Sequence, residues 1–321
     1  MIKVEHLVKS YGEKYAVNDI SFTVGDREIV GFLGPNGAGK STTMNILTGY
    51  ISSTSGSVTI EGHDILEEAD EAKTSIGYLP EIPPLYMDMT VKAYLDFVYE
   101  LKKCKLNRKK HLQEIINIVK IDDVKDRLIK NLSRGYRQRV GIAQALIGNP
   151  KVIILDEPTI GLDPKQIVEV RNLIRTLGRD HSVILSTHIL SEVQAVCDRL
   201  VIINKGKIVA NKPTDEITNT INNTRRLKIK ICGNAKEISS ALSLVDGVTS
   251  VKTLAEHELD STAFIIESSP DTDVRKAIFE LLARKNWAIL SMEALGQNLE
   301  DVFISLTRDT TKAPSKSVIR K

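Results

Sequence analysis

The segment Gly34–Ser41 reads GPNGAGKS, and its residue types suit the binding of a phosphate chain. Glycines let successive backbone N–H groups curl toward one anion, and a helix starting directly afterwards adds the positive end of its dipole. The pattern G-x-x-x-x-G-K-[ST] demands a strand before it and a helix after it. Both are readable here, since Glu28–Gly34 (EIVGFLG) is an apolar strand and a helix follows from Lys40 to a stop at Gly49. A chance glycine-rich turn would lack that order. Lys40 is then expected on the β- and γ-phosphates of a nucleotide and Ser41 on Mg²⁺. Gly34, Pro35, Asn36, Gly37, Ala38, Gly39 and Thr42 complete the expected cradle.

Two carboxylates come next in importance. Asp156 closes the apolar run KVIILD (Lys151–Asp156), where it is placed to hold Mg²⁺ through water. Glu157 follows, where a water attacking the γ-phosphate has to be polarised. An isolated Asp-Glu pair is more often a solvated turn, but beside a phosphate loop the chemical reading prevails. His188 ends a second apolar run, SVILSTH. Parallel strands deliver ligands at their carboxyl ends, so His188 is expected on the edge that carries Lys40 and Asp156, within reach of the γ-phosphate. Two readings stand open for Tyr11, a ring stacked on adenine or an exposed turn residue. Asp163 is a helix cap that can serve the nucleotide as well. Ser133 and Gly135, in LSRGYRQR, read either as a simple helix start or as an anion site made by a hydroxyl and a free N–H. So far from the Gly34–Ser41 loop, that site suggests service to a second subunit.

The elements that must position these residues follow from periodicity. IKVEHLV and DISFTV alternate like half-buried strands around the turn YGEK, and SVTIEG is a further short strand. From Thr90, an N-cap, TVKAYLDFVYELKK and then NRKKHLQEIINIVK carry apolar residues at helical spacing, giving a helical insertion over about residues 82–148. KVIILD and SVILSTH are apolar throughout, as central parallel strands covered on both faces are. The helix between them takes Asp163 as N-cap and Pro164 at its first position. RLVIINKGKIVANK reads as a hairpin around Lys205-Gly206. A boundary is expected near the polar stretch TNTINNTRR, dividing a first domain over 1–220 from a second over 225–307. The second predicts strand, helix, two strands, helix (Asp271–Arg284) and strand, the order of a ferredoxin-like α+β sandwich. The tail 308–321 is polar and basic and is expected to be disordered.

Composition narrows the function. At 321 residues the chain is long enough for two domains, and its 42% apolar and 26% charged residues are ordinary for a globular protein. A net charge of +3 gives no electrostatic case for a nucleic-acid partner. Cys104, Cys197 and Cys232 lack metal-ligand spacing and fit free thiols in a reducing compartment. The charged N-terminus predicts no secretory signal, and no apolar run approaches the ~20 residues that span a bilayer.

Taken in order, GPNGAGKST, IGYLPE, LSRGYRQR, VIILDEP, GLD and STH resemble the ATP-binding cassette (ABC) ATPases over about residues 1–215. The resemblance is nearest to bacterial exporters whose ATPase and membrane subunits are separate chains. It implies an α/β P-loop fold with a helical subdomain, ATP and Mg²⁺ as ligands, and ATP hydrolysis with Glu157, His188 and Lys40 as catalytic residues. It also implies a head-to-tail homodimer in which Ser133 and Gly135 cover the partner's nucleotide, and a membrane-spanning permease that holds the chain at the cytoplasmic face of the membrane. PEIPPLYMDMT and the helices after it would grip that permease. Three positions depart from the family's pattern. Arg134 stands where glycine is common, Tyr136 where glutamine is, and Glu81 where a metal-contacting glutamine is usual. Glu81 is therefore expected beside Mg²⁺ and nucleotide as a carboxylate. The second domain resembles the accessory domain of such exporters, with LGQNLEDVFISLT as its ending. A soluble cassette protein acting on nucleic acid or the ribosome would be expected to carry tandem cassettes or long coiled coils, which this sequence lacks. A silent nucleotide sensor would not need Lys40, Asp156, Glu157 and His188 together.

Overall fold

The structure, a computed structural model, describes residues 1–217, 225–258, 261–269 and 272–295. The chain forms two compact units, Met1–Thr214 and Asp215–Lys321. The first opens with β1 (Ile2–Tyr11), β2 (Lys14–Val24), β3 (Ile29–Leu33) and α1 (Lys40–Leu47). Next come β4 (Ser55–Ile60), β5 (His63–Asp64), α2 (Ala69–Thr74) and β6 (Ile76–Leu79). Three helices follow, α3 (Val91–Leu101), α4 (Arg108–Val119) and α5 (Arg134–Leu146). The unit returns to its sheet through β7 (Val152–Asp156), α6 (Pro164–Leu177), β8 (Ser182–Thr187), α7 (Leu190–Val196), β9 (Arg199–Asn204) and β10 (Lys207–Pro213).

Six strands form the central sheet in the order β10-β9-β3-β8-β7-β6. All neighbours are parallel except β10 against β9, so the expectation of a mostly parallel sheet holds. Every residue of β3, β7 and β8 is buried, which is why these strands are apolar without alternation. The second sheet, β2-β1-β4-β5, is antiparallel and alternates, with Ile2, Val4, Ile20, Phe22 and Val24 turned into the core. There they meet Val30 and Phe32 of β3 and Met44, Ile46 and Leu47 of α1, with the rings of Phe22 and Phe32 5.5 Å apart. The start of α1 is thereby clamped between two sheets.

The helical insertion keeps the expected caps. Thr90 Oγ1 accepts the Ala93 N–H, and Ser133 Oγ accepts that of Tyr136. At the far end of α5 the buried ring of His111 accepts the Gly148 N–H through Nε2 at 3.0 Å. Only an imidazole unprotonated at Nε2 can do so, and burial lowers its pKa, with Lys102 adding to that and Glu114 opposing it.

The second unit contains β11 (Arg225–Cys232), α8 (Ala235–Leu242), β12 (Val248–Glu258), β13 (Ser261–Ser268), α9 (Arg275–Arg284) and β14 (Ile289–Leu295). Its sheet order β12-β13-β11-β14 is antiparallel throughout and is that of a ferredoxin-like sandwich. Leu227, Ile229 and Ile231 face Ile238, Leu242, Ile278 and Leu282 of the two helices. α9 starts at Arg275 rather than Asp271, because Asp273 Oδ1 takes the Arg275 N–H and turns the backbone just before the helix. Residues 218–224 of the polar stretch where the boundary is expected, nearly all of LGQNLEDVFISLT and the tail 308–321 lie outside the described residues. No helix among the described residues is long and apolar enough to cross a membrane.

His111 generates a stability prediction. Its folded pKa lies below its ordinary value of about 6.5, so its contribution is present above that pH and is lost as pH falls below it. Between about pH 7 and about pH 5 a His111→Gln variant is expected to lose less stability in urea than the parent chain does. Equal losses would show that His111 titrates alike in the folded and the unfolded chain.

Candidate functional site

The loop 34–39 leaves β3 and enters α1 under tight steric limits. A Cβ on Gly34 would lie 2.5 Å from the Ile203 carbonyl, and one on Gly39 would lie 2.5 Å from that of Ala16. Gly39 also has φ +113°, in the left-handed region that favours glycine. Lys40 is buried, and its Nζ donates to Gly34 O at 2.9 Å. The cation is thus pinned inside the curl of its own loop.

Above that loop opens a cleft of about 750 Å³. Asn36, Gly37, Gly39, Lys40, Ser41 and Thr42 line it from the loop side. Tyr11, Glu81, Glu157 and His188 line it from four other parts of the unit. Both readings of Tyr11 are served, because it ends β1 with 57% exposure and still borders the cleft. Lys14, Tyr15, Ala16, Ile160 and Lys205 also border it. No motif signals these five; the hairpin turns that carry Lys14 and Lys205 reach the cleft only by folding.

Glu157 is the centre of the site. It is buried, with φ +48°, and its N–H is held by Ser186 O at 2.8 Å. Oε1 lies 3.7 Å from Lys40 Nζ and 2.9 Å from His188 Nδ1. A carboxylate acceptor there places the His188 proton on Nδ1, leaving Nε2 for another partner. From behind, the Thr187 hydroxyl lies 3.2 Å from Oε2. A carboxylate, an ammonium and an imidazole therefore converge at the carboxyl ends of β7, β3 and β8, the edge where open parallel sheets place ligands.

Asp156 lies deeper. Burial pushes its carboxyl above the ordinary range, and the charges of Glu157 and Glu81 add to that. The Ser41 hydroxyl offsets part of the shift, and among the described residues Asp156 Oδ1 and Ser186 Oγ have no hydrogen-bond partner. A buried, unsatisfied carboxylate oxygen beside a serine at the foot of a phosphate cradle is a fitting place for a hard divalent cation. Among the described residues no group of three or more His, Cys, Asp or Glu could hold a metal alone, so phosphate oxygens would have to complete such a shell.

Ser133, Gly135 and Asp163 are not on the cleft. Ser133 caps α5 and Asp163 caps α6, accepting the Gln166 N–H at 2.9 Å. The two helix starts lie together: a Cβ on Gly135 would sit 2.7 Å from Gln166 Cδ, and one on Gly161 would sit 3.0 Å from Arg134 Nε.

Known proteins resemble this chain over much of its length. Residues 17–160 match the family described as ABC transporter. The chain is 32% identical over 313 residues to the uncharacterized ABC transporter ATP-binding protein YhcH of Bacillus subtilis (strain 168), covering 97% of each. It is 30% identical over 317 residues to the linearmycin resistance ATP-binding protein LnrL of the same organism, covering 97% of this chain and 100% of the relative. A solved dimeric post-hydrolysis state of the ATP-binding cassette MJ0796 bound to ADP and Pi matches with a TM-score of 0.61 at 26% identity. That match covers 67% of this chain and 99% of the other.

The cradle geometry makes one prediction. In Gly39→Ala the new Cβ meets a backbone carbonyl that cannot move without shifting β2. Affinity for a fluorescent nucleotide analogue is expected to fall at least about tenfold while the protein stays folded. Unchanged affinity would show that the loop does not hold the nucleotide in this conformation.

Proposed function

This chain belongs to the ABC transporter family as an ATP-binding subunit with ATPase activity, and from that premise we propose which residues do the work and what the subunit drives. The observation that carries the reading is the convergence of Lys40, Glu157 and His188 on one cleft over a glycine-rich helix start. The N–H groups of 34–39 and the Lys40 ammonium bind the β- and γ-phosphates, and Tyr11 stacks on the adenine. Glu157 orients the attacking water and accepts its proton, and His188 fixes the γ-phosphate against it. Asp156, Ser41 and Glu81 would hold Mg²⁺, which would supply positive charge to offset that developing on the phosphate oxygens.

Two chains complete each site. Ser133, the Gly135 N–H and Asp163 lie off the cleft on adjoining helix starts, a surface that a second copy turned head to tail lays over the nucleotide. A dimeric cassette among the structural relatives supports this pairing. The subunit drives a permease at the cytoplasmic face of the membrane, and the direction is export, as the relative named for linearmycin resistance suggests. The grip is an exposed apolar patch: Ile82 is 82% exposed, and Tyr86 stacks against Phe97 with ring centroids 5.3 Å apart. An exposed apolar patch is a mark of an interaction site.

Phosphate release tests the assignments. Lys40→Ala is expected to abolish turnover, and chelation of divalent ions to do the same to the parent chain. Glu157→Gln is expected to keep nucleotide affinity while hydrolysis falls by roughly 10²–10⁴. Parental turnover in Glu157→Gln would overturn its role.

The composite site has its own test. Lys40→Ala and Ser133→Arg are each expected to fail as homodimers. In a mixed dimer both lesions fall in one shared site, so the other is intact and ATP-dependent cross-linked closure returns. A mixed dimer as inert as its parents would rule out sharing.

A further inference from the structure

Behind Glu157 stands a second carboxylate that the mechanism does not use. Glu192, in the first turn of α7, is 1% exposed, and among the described residues no lysine or arginine pairs with it. Among the described residues its side-chain partners are two buried threonines. Oε1 accepts from Thr159 at 2.5 Å and Oε2 from Thr187 at 3.1 Å. Thr159 is two residues past Glu157, and Thr187 immediately precedes His188. One carboxylate therefore ties the loop after β7 to the end of β8. A charge buried against hydroxyls alone costs stability, so stability does not explain its presence.

The geometry at Thr187 is specific. Its Oγ1 accepts the Ile189 N–H at 3.1 Å and has a single proton to donate. That proton faces Glu192 Oε2 at 3.1 Å and Glu157 Oε2 at 3.2 Å, so the two carboxylates share one donor. On its other oxygen Glu157 is held by Lys40 and His188, both assigned to the nucleotide. Among the described residues Thr187 is the side chain that holds it from the protein interior.

We propose that Glu192 is a positioning residue for hydrolysis, which keeps the Glu157 carboxylate turned into the cleft. It does so in two ways. It fixes Thr159 and Thr187, and with them the backbone on either side of Glu157 and His188. Its charge also fills the space behind Thr187, so Glu157 is repelled from the interior rather than drawn toward two buried hydroxyls. Without Glu192 those hydroxyls lose their acceptor, and Glu157 is the nearest carboxylate that can swing back to satisfy them. Nucleotide binding does not need this device, because the loop and Lys40 hold the phosphates. Glu192 thus acts on the chemical step and not on affinity. The inference rests on the assignment of Glu157 as the residue that orients the attacking water.

The test uses the full chain, phosphate release at saturating Mg²⁺-ATP and affinity for a fluorescent ATP analogue. Glu192→Gln keeps shape but loses charge, and Thr187→Val keeps shape but loses the hydroxyl. Each is expected to lower kcat by roughly 10–10²-fold with KM and analogue affinity within about twofold of the parent. Thr187→Ser retains the hydroxyl and is expected to restore most of kcat. The double variant Glu192→Gln/Thr187→Val is expected to be no slower than the slower single, because both act through the placement of one carboxylate, that of Glu157. Parental kcat in both single variants, equal damage from serine and valine, a parallel fall of kcat and affinity, or additive damage in the double would each overturn the proposal. Should Glu192→Gln fail to fold, the serine and valine pair at 187 decides alone. Loss of turnover in Glu157→Gln beside full turnover in Glu192→Gln sinks this inference only. A Glu157→Gln protein as active as the parent removes the premise and the inference together.

Discussion

The first unit depends on holding one buried carboxylate, Glu157, between a cation in front of it and hydroxyls behind it. Lys40 and His188 approach one oxygen, and Thr187 approaches the other. Lys40 comes from the start of α1 after β3, Thr187 and His188 from the end of β8, and Glu157 from the end of β7, so the arrangement exists only while β3, β7 and β8 keep their register. Those strands pair in parallel with no register shift, and all their residues are buried. An apolar sheet is thus the mechanical base for a charged cluster. Water is excluded from behind the cluster and admitted in front, which strengthens its electrostatics while leaving room for a nucleotide.

The same principle separates what is rigid from what is shared. The loop 34–39 is fixed by backbone contacts to β2 and β9, at Ala16 and Ile203, and a side chain on Gly34 or Gly39 would disturb them. The starts of α5 and α6 are fixed to each other instead, with Gly135 against Gln166 and Arg134 over Gly161. They form one surface whose capped helix ends do not line the cleft. Arg134, one of the departures from the family's pattern, fills the space over Gly161 that its left-handed backbone leaves open. Tyr136 donates its hydroxyl to Asp123 at 2.7 Å, so that departure strengthens the packing of the helical insertion.

The second unit is built by the opposite logic. Its four strands are antiparallel, and a single layer of apolar residues from β11 and β13, Phe264 among them, meets two amphipathic helices. None of the motifs that carry chemistry in this chain lies within it. Its polar contacts include a half-buried pair, Arg226 with Glu267, and an exposed one, Arg275 with Asp273, the latter ordering side chains more than it stabilises the fold.

What the sequence determined by itself was whatever depends on neighbours along the chain. The strand–loop–helix around Gly34–Ser41 was legible because glycine conformation and helix start are local. So were the caps Thr90, Ser133 and Asp163 and the buried runs KVIILD and SVILSTH. Alternation and helical spacing were enough for the α/β class and for the ferredoxin-like order, although a local aspartate bond moved the start of α9 by four residues. The tertiary structure alone decided which charges meet. Lys14, Tyr15 and Lys205 reach the cleft because hairpin turns fold over it. Glu192 carried no signal, since a glutamate in a seven-residue helix looks like any solvated one. Its burial against Thr159 and Thr187 comes from packing α7 on the sheet. The physical reason is range: propensity and hydrogen-bond caps act over a few residues, whereas burial of a charge is decided by everything that closes around it.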